Sequence, residues 1–300
     1  CPECGSVDKE VWIHKQERFT LNVNYFHVVF TIPNELNVLC LIDPKFMYKV
    51  LFDISAETIK ELSKDKKYLG AKIGFTSVLH TWGQNLSLHP HIHMIVPGGG
   101  IDSNGKWKNS KKKFFLPVKV VSKLFKGKFL SYTKKNFDQR KIKDEEQFQN
   151  IINTCYSKDW VVYTKKPMKS AKHVVKYLGR YTHRIAISNA RIKKYEDNKV
   201  TFSYKDYSNH NQIKEMTLDD TEFFRRYMMH VLPSNFMKIH HYGFLGNRNK
   251  EERIKAIRTA TNTKDPGSFL IDYEQIISDI LKRDVSICIK CGQKRHHKLE

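Results

Sequence analysis

One twelve-residue stretch constrains this chain more than any other: His89-Pro90-His91-Ile92-His93-Met94-Ile95-Val96-Pro97-Gly98-Gly99-Gly100. Ile92, Met94 and Val96 alternate with His91, His93 and Ile95, and Pro97 with three glycines stops the pattern, so the stretch reads as a short strand. Alternation sends His91 and His93 to one face of a sheet, expected to be open, and the apolar set to the other. A histidine-rich strand can be a plain polar sheet face. Two imidazoles two residues apart on a strand can also close on one divalent ion, with positions left for a further ligand, water or a substrate oxygen. Three histidines at alternate positions over a packed opposite face favour the metal.

The strand needs a sheet to sit in, and the flanking sequence offers one. Tyr25–Ile32 carries Phe26, Val28, Val29 and Phe30 in a run ended by Pro33 and reads as a buried strand; Lys72–Trp82 reads as another. Only Gly83–Leu88 separates the latter from the histidine strand, so those two are expected to pair antiparallel. Helical apolar spacing marks Pro44–Lys64, Val118–Tyr132, Asp144–Cys155, Asp219–Val231 and Asn249 to about Thr261. Trp160–Thr164 reads as a strand, and Pro167 is expected to open a helix over Met168–His183. Arg191–Tyr195 and Val200–Tyr207 form a hairpin around Glu196-Asp197-Asn198, with a third strand near Gln212–Thr217, and a further segment spans Phe236–Leu245. Strands and helices interleave without a βαβ rhythm, so the expected fold class is α+β with helices packed on a mostly antiparallel sheet.

Charge narrows the partner. The 300 residues carry a net +22. Between Gly105 and Lys143 there are fourteen basic residues and one acid, Asp138; between Lys165 and Lys194 there are ten basic residues and no acid. A solvated surface mixes its signs, so these segments, with Lys111, Lys112 and Lys113 in one and Lys172, Lys176, Arg180 and Arg184 in the other, are expected to face a polyanion. Neither has the amphipathic Trp and Phe anchor of a membrane-surface helix, and no apolar run approaches the roughly 20 residues of a membrane span. Nucleic acid is the expected partner.

The cysteines fall as Cys1-x-x-Cys4, Cys40, Cys155 and Cys288-x-x-Cys291. Each Cys-x-x-Cys pair is followed by glycine and has the shape of a zinc knuckle, half of a four-ligand Zn2+ site. Cys1 at the first position suggests that the partner ligands lie upstream, and the first 18 residues read as the tail of a metal-binding module plus a linker. Cys40 and Cys155 sit among apolar residues and read as buried thiols, and the reducing compartment this implies is the cytoplasm.

The segment from Met168 carries the second constellation. Ala171, Val174, Val175 and Leu178 form its packing stripe, while Tyr177 and Tyr181, four residues apart, project from one helical face among Lys172, His173, Lys176, Arg180 and Arg184. Two tyrosines at this spacing are often rim residues. Beside cations and a metal they can be nucleophiles, since nearby positive charge makes phenolate more accessible. Tyrosine, metal and basic groove together describe a nuclease that forms phosphotyrosine and so retains the energy of the broken phosphodiester.

The His91-Ile92-His93 strand followed by Tyr177-x-x-x-Tyr181 resembles the HUH single-strand endonucleases, and more narrowly the two-tyrosine rolling-circle transposases of bacterial insertion sequences. Further blocks carry the resemblance: Tyr25–Pro33, Leu79–Leu86, His89–His93 with Pro97–Gly100, Tyr177–Arg184 and His241–Leu245, in order across Tyr25 to Arg248. The resemblance implies an HUH-type central sheet and a zinc module ahead of the catalytic domain, with Cys1 and Cys4 as its last ligands. It implies Mg2+ or Mn2+ at His91 and His93, single-stranded DNA at transposon ends and target as partner, and Tyr177 and Tyr181 as nucleophiles. The third metal ligand varies in related nucleases; Gln84 is the first candidate, His89 the second and His80 the third. The expected organisation is a zinc-module remnant and linker over 1–18, a catalytic domain over 19–190, its C-terminal hairpin and helices over 191–265, and a knuckle-bearing tail over 266–300. The competing readings are a non-catalytic zinc-knuckle protein that binds nucleic acid, an inactive relic, and a metal-dependent hydrolase; the last lacks any carboxylate between His93 and Asp102.

Overall fold

The computed structural model describes residues 4–293, apart from 112–114, 143, 169–173, 176, 178, 180–185, 208, 266, 268–270, 288 and 290–291, with backbone alone for 4–6 and 165–168. The N-terminal segment carries a helix, α1 (Cys4–Glu17). Its few apolar side chains escape a periodicity reading, yet Trp12 and Ile13 pack into the body of the protein.

Strand β1 (Tyr25–Thr31) leads through a short helix, α2 (Asn37–Ile42), to α3 (Pro44–Lys64). The start of α3 is set locally: the Asp43 carboxylate accepts from the Phe46 N–H at 3.1 Å, and Pro44 occupies the first turn, where its missing N–H costs nothing. Strands β2 (Phe75–Trp82) and β3 (Leu88–Pro97) follow, and pair antiparallel as expected. Past Pro97 the chain continues into a small ribbon, β4 (Gly99–Ile101) with β5 (Trp107–Asn109). Its glycines are there for close approach: a Cβ on Gly99 would lie 2.4 Å from the Trp107 ring, and one on Gly100 2.6 Å from the Lys72 carbonyl.

Helices α4 (Val118–Asn136) and α5 (Glu145–Ser157) precede β6 (Val162–Met168). Pro167 therefore lies inside a strand instead of opening a helix. The position tolerates it because β6 is an edge strand, and its register against β1 shifts between Tyr25 and His27. The tyrosine segment begins later than its proline suggests: Val174, Val175, Tyr177 and Gly179 are helical. Beyond it come β7 (Ile192–Glu196), β8 (Lys199–Asp206), β9 (Gln212–Asp219), α6 (Asp220–Met228), β10 (Ile239–Tyr242), α7 (Lys250–Ala260) and α8 (Tyr273–Leu281).

The central sheet runs β10-β2-β3-β1-β6, every described pairing antiparallel, so the architecture is α+β on an antiparallel sheet. One face carries Phe26, Val28, Phe30, Phe75, Leu79, Ile92, Met94 and Val96 into the main core, with α3 and α4 supplying Met47, Leu51, Phe125 and Phe129. Cys40 and Cys155 are buried there as free thiols. A second sheet, β7-β8-β9, packs Val200 and Phe202 against Phe223 of α6 and against Leu86 from the β2–β3 turn. No described helix is long and apolar enough to cross a membrane.

Candidate active site

On the face of the central sheet opposite the main core, histidines from three strands, β1, β2 and β3, come together. Antiparallel register sets His80 of β2 directly across from His91 of β3, and Val29 of β1 across from His93. His80, His91 and His93 bring one ring nitrogen each to within 4.8 Å of the others. His27, on the same face of β1, stacks on His93 with ring centroids 5.1 Å apart. The face is not open. Val174 of the tyrosine segment buries against Tyr25, Val78 and Ile95, and Trp12 of α1 and Tyr177 pack on the same group.

The hydrogen bonds give these imidazoles orientation. Nδ1 of His91 lies 2.6 Å from the His89 carbonyl oxygen, to which it donates, leaving Nε2 as the free lone pair. Nε2 of His91 and Nε2 of His93 stand 3.1 Å apart. Two ring nitrogens each about 2.1 Å from one ion and about 95° apart at it would show that separation. On its other side Nδ1 of His93 is 2.9 Å from Nε2 of His27, and Nδ1 of His27 is 3.3 Å from the Tyr177 oxygen. Burial pushes the His91 imidazole down to about 4, against the opposing pull of its bond to the His89 carbonyl, so it is neutral and able to ligate at neutral pH. The rings are also fixed from outside: Trp82 stacks on His80 at 4.6 Å and 18°. Oriented ring nitrogens converging on one point fit a divalent ion, and three nitrogen donors suit Mn2+ better than the oxygen-preferring Mg2+.

The sequence candidates fare differently. His91 and His93 come together as expected. The Gln84 side-chain amide donates to the Tyr207 hydroxyl at 3.3 Å, and its backbone carbonyl accepts from Arg191. The β2–β3 turn that carries it is held by the second sheet and α6, with Arg226 on the Asn85 carbonyl at 3.3 Å and His230 on that of Leu86 at 3.1 Å. His89 contributes its backbone carbonyl, and its side chain is outside the trio. His80, ranked last in sequence, is the third member. His27 was not singled out at all. The signal for it was available: within Tyr25–Thr31 it alternates with Phe26, Val28 and Phe30, so it had to face away from the core.

Tyr177 is half-buried beside His27. Tyr181, Lys172, Lys176, Arg180, Arg184, Lys112, Lys113, Cys1, Cys288 and Cys291 lie outside the described residues, as does the Cys4 side chain. Lys111 is exposed.

The comparisons with known proteins give the family. Residues 74–253, more than half of the chain, match the Y2_Tnp family, described as "Putative transposase". Residues 1–32 match a "Transposase zinc-binding domain" of the IS91 type. A relative from Sinorhizobium fredii, "Putative transposase y4qJ", is 38% identical over 98% of this chain and 77% of its own length. The "Transposase for insertion sequence element IS801" of Pseudomonas savastanoi pv. phaseolicola is 28% identical over 98% of this chain and 72% of its own. No solved structure matches. The chain belongs to this family, the IS91-type rolling-circle transposases of the HUH superfamily.

Proposed function

We propose that this transposase nicks and rejoins single-stranded DNA through 5′-phosphotyrosine, with Tyr177 and Tyr181 as nucleophiles and a divalent ion, Mn2+ in preference to Mg2+, held by His80, His91 and His93. The observation that carries the reading is the chain of contacts from the converging nitrogens of His91 and His93, through His27, to the Tyr177 oxygen. When bound, the ion supplies Lewis-acid polarisation of a phosphate oxygen.

The rest falls to the protein. The Tyr177 oxygen attacks phosphorus as its phenol proton passes to water. The P–O bond to the 3′ oxygen breaks in line, and that oxygen leaves as a 3′ hydroxyl after taking a proton. One P–O bond forms for each one broken, so the reverse attack by a 3′ hydroxyl rejoins strands without ATP. Tyr181, four residues further along the sequence, serves the second strand end. Lys111, Lys112, Lys113, Lys172, Lys176, Arg180 and Arg184 bind the backbone phosphates, which makes binding salt-dependent. Zn2+ at Cys1 and Cys4, and at Cys288 and Cys291, holds the terminal modules.

The test uses the full chain with Mn2+ and a pool of single-stranded oligonucleotides tiling the DNA that flanks its own coding sequence. A covalent protein–DNA adduct that survives denaturation is expected, and peptide mapping should find the nucleotide on Tyr177 or Tyr181. Attachment to any other residue, or cleavage without an adduct, overturns the mechanism.

A further inference from the structure

His27 is a buried histidine that the metal reading does not use. It is 3% exposed, lies outside the His80, His91 and His93 trio, and sits between two of the groups that matter most. Its Nε2 is 2.9 Å from His93 Nδ1 and its Nδ1 is 3.3 Å from the Tyr177 oxygen. A neutral imidazole carries one N–H and one lone pair, so the two hydrogen bonds of His27 cannot be set independently.

Two directions are open to the chain of bonds. In one, Tyr177 donates to His27, and His27 donates from Nε2 to His93 Nδ1. His93 then carries its proton on Nε2, the nitrogen that faces His91. In the other, His93 donates from Nδ1 to His27 Nε2, and His27 donates from Nδ1 to the Tyr177 oxygen. Only the second puts a lone pair rather than a proton on His93 Nε2, as ligation requires.

We propose that His27 is a positioning residue that couples the histidine cluster to the nucleophile: a ligated His93 fixes the His27 tautomer, which turns its Nδ1–H onto the Tyr177 oxygen. The phenol is thereby held in one orientation, and as an acceptor of this bond its oxygen gives up its own proton more readily. Metal occupancy and nucleophile readiness become one event. The inference rests on the reading of Tyr177 as nucleophile, and it goes beyond that reading by assigning a residue and a direction of hydrogen bonding.

Two measurements test it on the full chain. The first is 15N NMR of histidine-labelled protein loaded with diamagnetic Zn2+, the His27 signal being assigned by its loss in His27→Gln. The proton is expected on Nδ1 of His27; a proton on Nε2 in the loaded protein overturns the proposal, whatever the DNA chemistry turns out to be. The second compares His27→Phe, which keeps a ring without the bonds, with His27→Gln, which restores one donor and one acceptor. With DNA binding and melting temperature as folding controls, His27→Phe should weaken Mn2+ binding about tenfold and slow adduct formation at saturating Mn2+ by about 100-fold, the range for groups that orient ligands. His27→Gln should recover part of that rate. A His27→Phe protein that forms adduct on Tyr177 within about threefold of wild type at saturating metal would sink the coupling and leave the nuclease reading intact. Wild type that forms no adduct at all would instead fail that reading.

Discussion

The two faces of β3 are built from one run of residues and do opposite work. Ile92, Met94 and Val96 are fully buried in the main core, among phenylalanines from β1, β2, α3 and α4. His91 and His93, interleaved with them, meet histidines of the two neighbouring strands: the His80 ring of β2 faces both, and His27 of β1 stacks on His93. The apolar face gains stability from every contact and is indifferent to which atom touches which. The histidine face gains little stability and depends on individual nitrogens. Confining chemistry to one face of a strand whose other face is locked in a core keeps those nitrogens in register.

That contrast is sharpest at adjacent residues. His91→Ala should abolish Mn2+ binding and adduct formation while changing the free energy of unfolding by less than about 1 kcal/mol, because the ring is half-buried and its one strong bond is local. Calorimetry with the metal and a denaturant melt read the two effects separately. Ile92→Ala should do the reverse, costing about 2–5 kcal/mol of stability with metal affinity retained in the folded fraction. Comparable destabilisation by both would break the comparison.

A smaller effect tests how the histidine face is closed. A Cβ on Gly179 would stand 2.4 Å from the Ile13 Cδ1 of α1, so Gly179→Ala should cost about 1–3 kcal/mol by overpacking and lower the adduct rate through Tyr177. Ile13→Ala in the same chain should relieve the clash and restore the rate. If the double variant stays as slow as the single one, α1 has no part in holding the tyrosine helix.

The smallest expected effect is a pH dependence on the same face at the far strand. Burial, then the nearby Lys250 and His240 charges, push His241 down to about 4, while its Nδ1 bonds Thr76 at 2.9 Å. An unfolded histidine titrates near 6.5, so between about pH 6.5 and pH 4 the unfolded chain binds the extra proton. Stability should therefore fall as pH drops through that window, and His241→Gln should flatten the fall. Chemical denaturation of both proteins at pH 7 and pH 5 measures the difference.

Much of this was legible in the residues alone. The period-2 alternation of β1 and β3 determined which side chains share a face, because a strand cannot turn one residue without turning all of them. The β2–β3 pairing followed from a short connection, and the paired histidines with the spaced tyrosines were enough to suggest the transposase family. What alternation cannot supply is which strands lie side by side and in what register. His80 became a neighbour of His91 only through the β2–β3 ladder, and His27 met His93 only because β1 inserts between β3 and β6. The oxygen of its side-chain amide favoured Gln84 as the third ligand; Arg191, Arg226 and His230 hold its turn against the second sheet, contacts made by residues more than a hundred positions away. Local chemistry chose the candidates, and long-range register decided which of them converge, since a metal site or a hydrogen-bonded relay is a distance requirement that no single segment can meet.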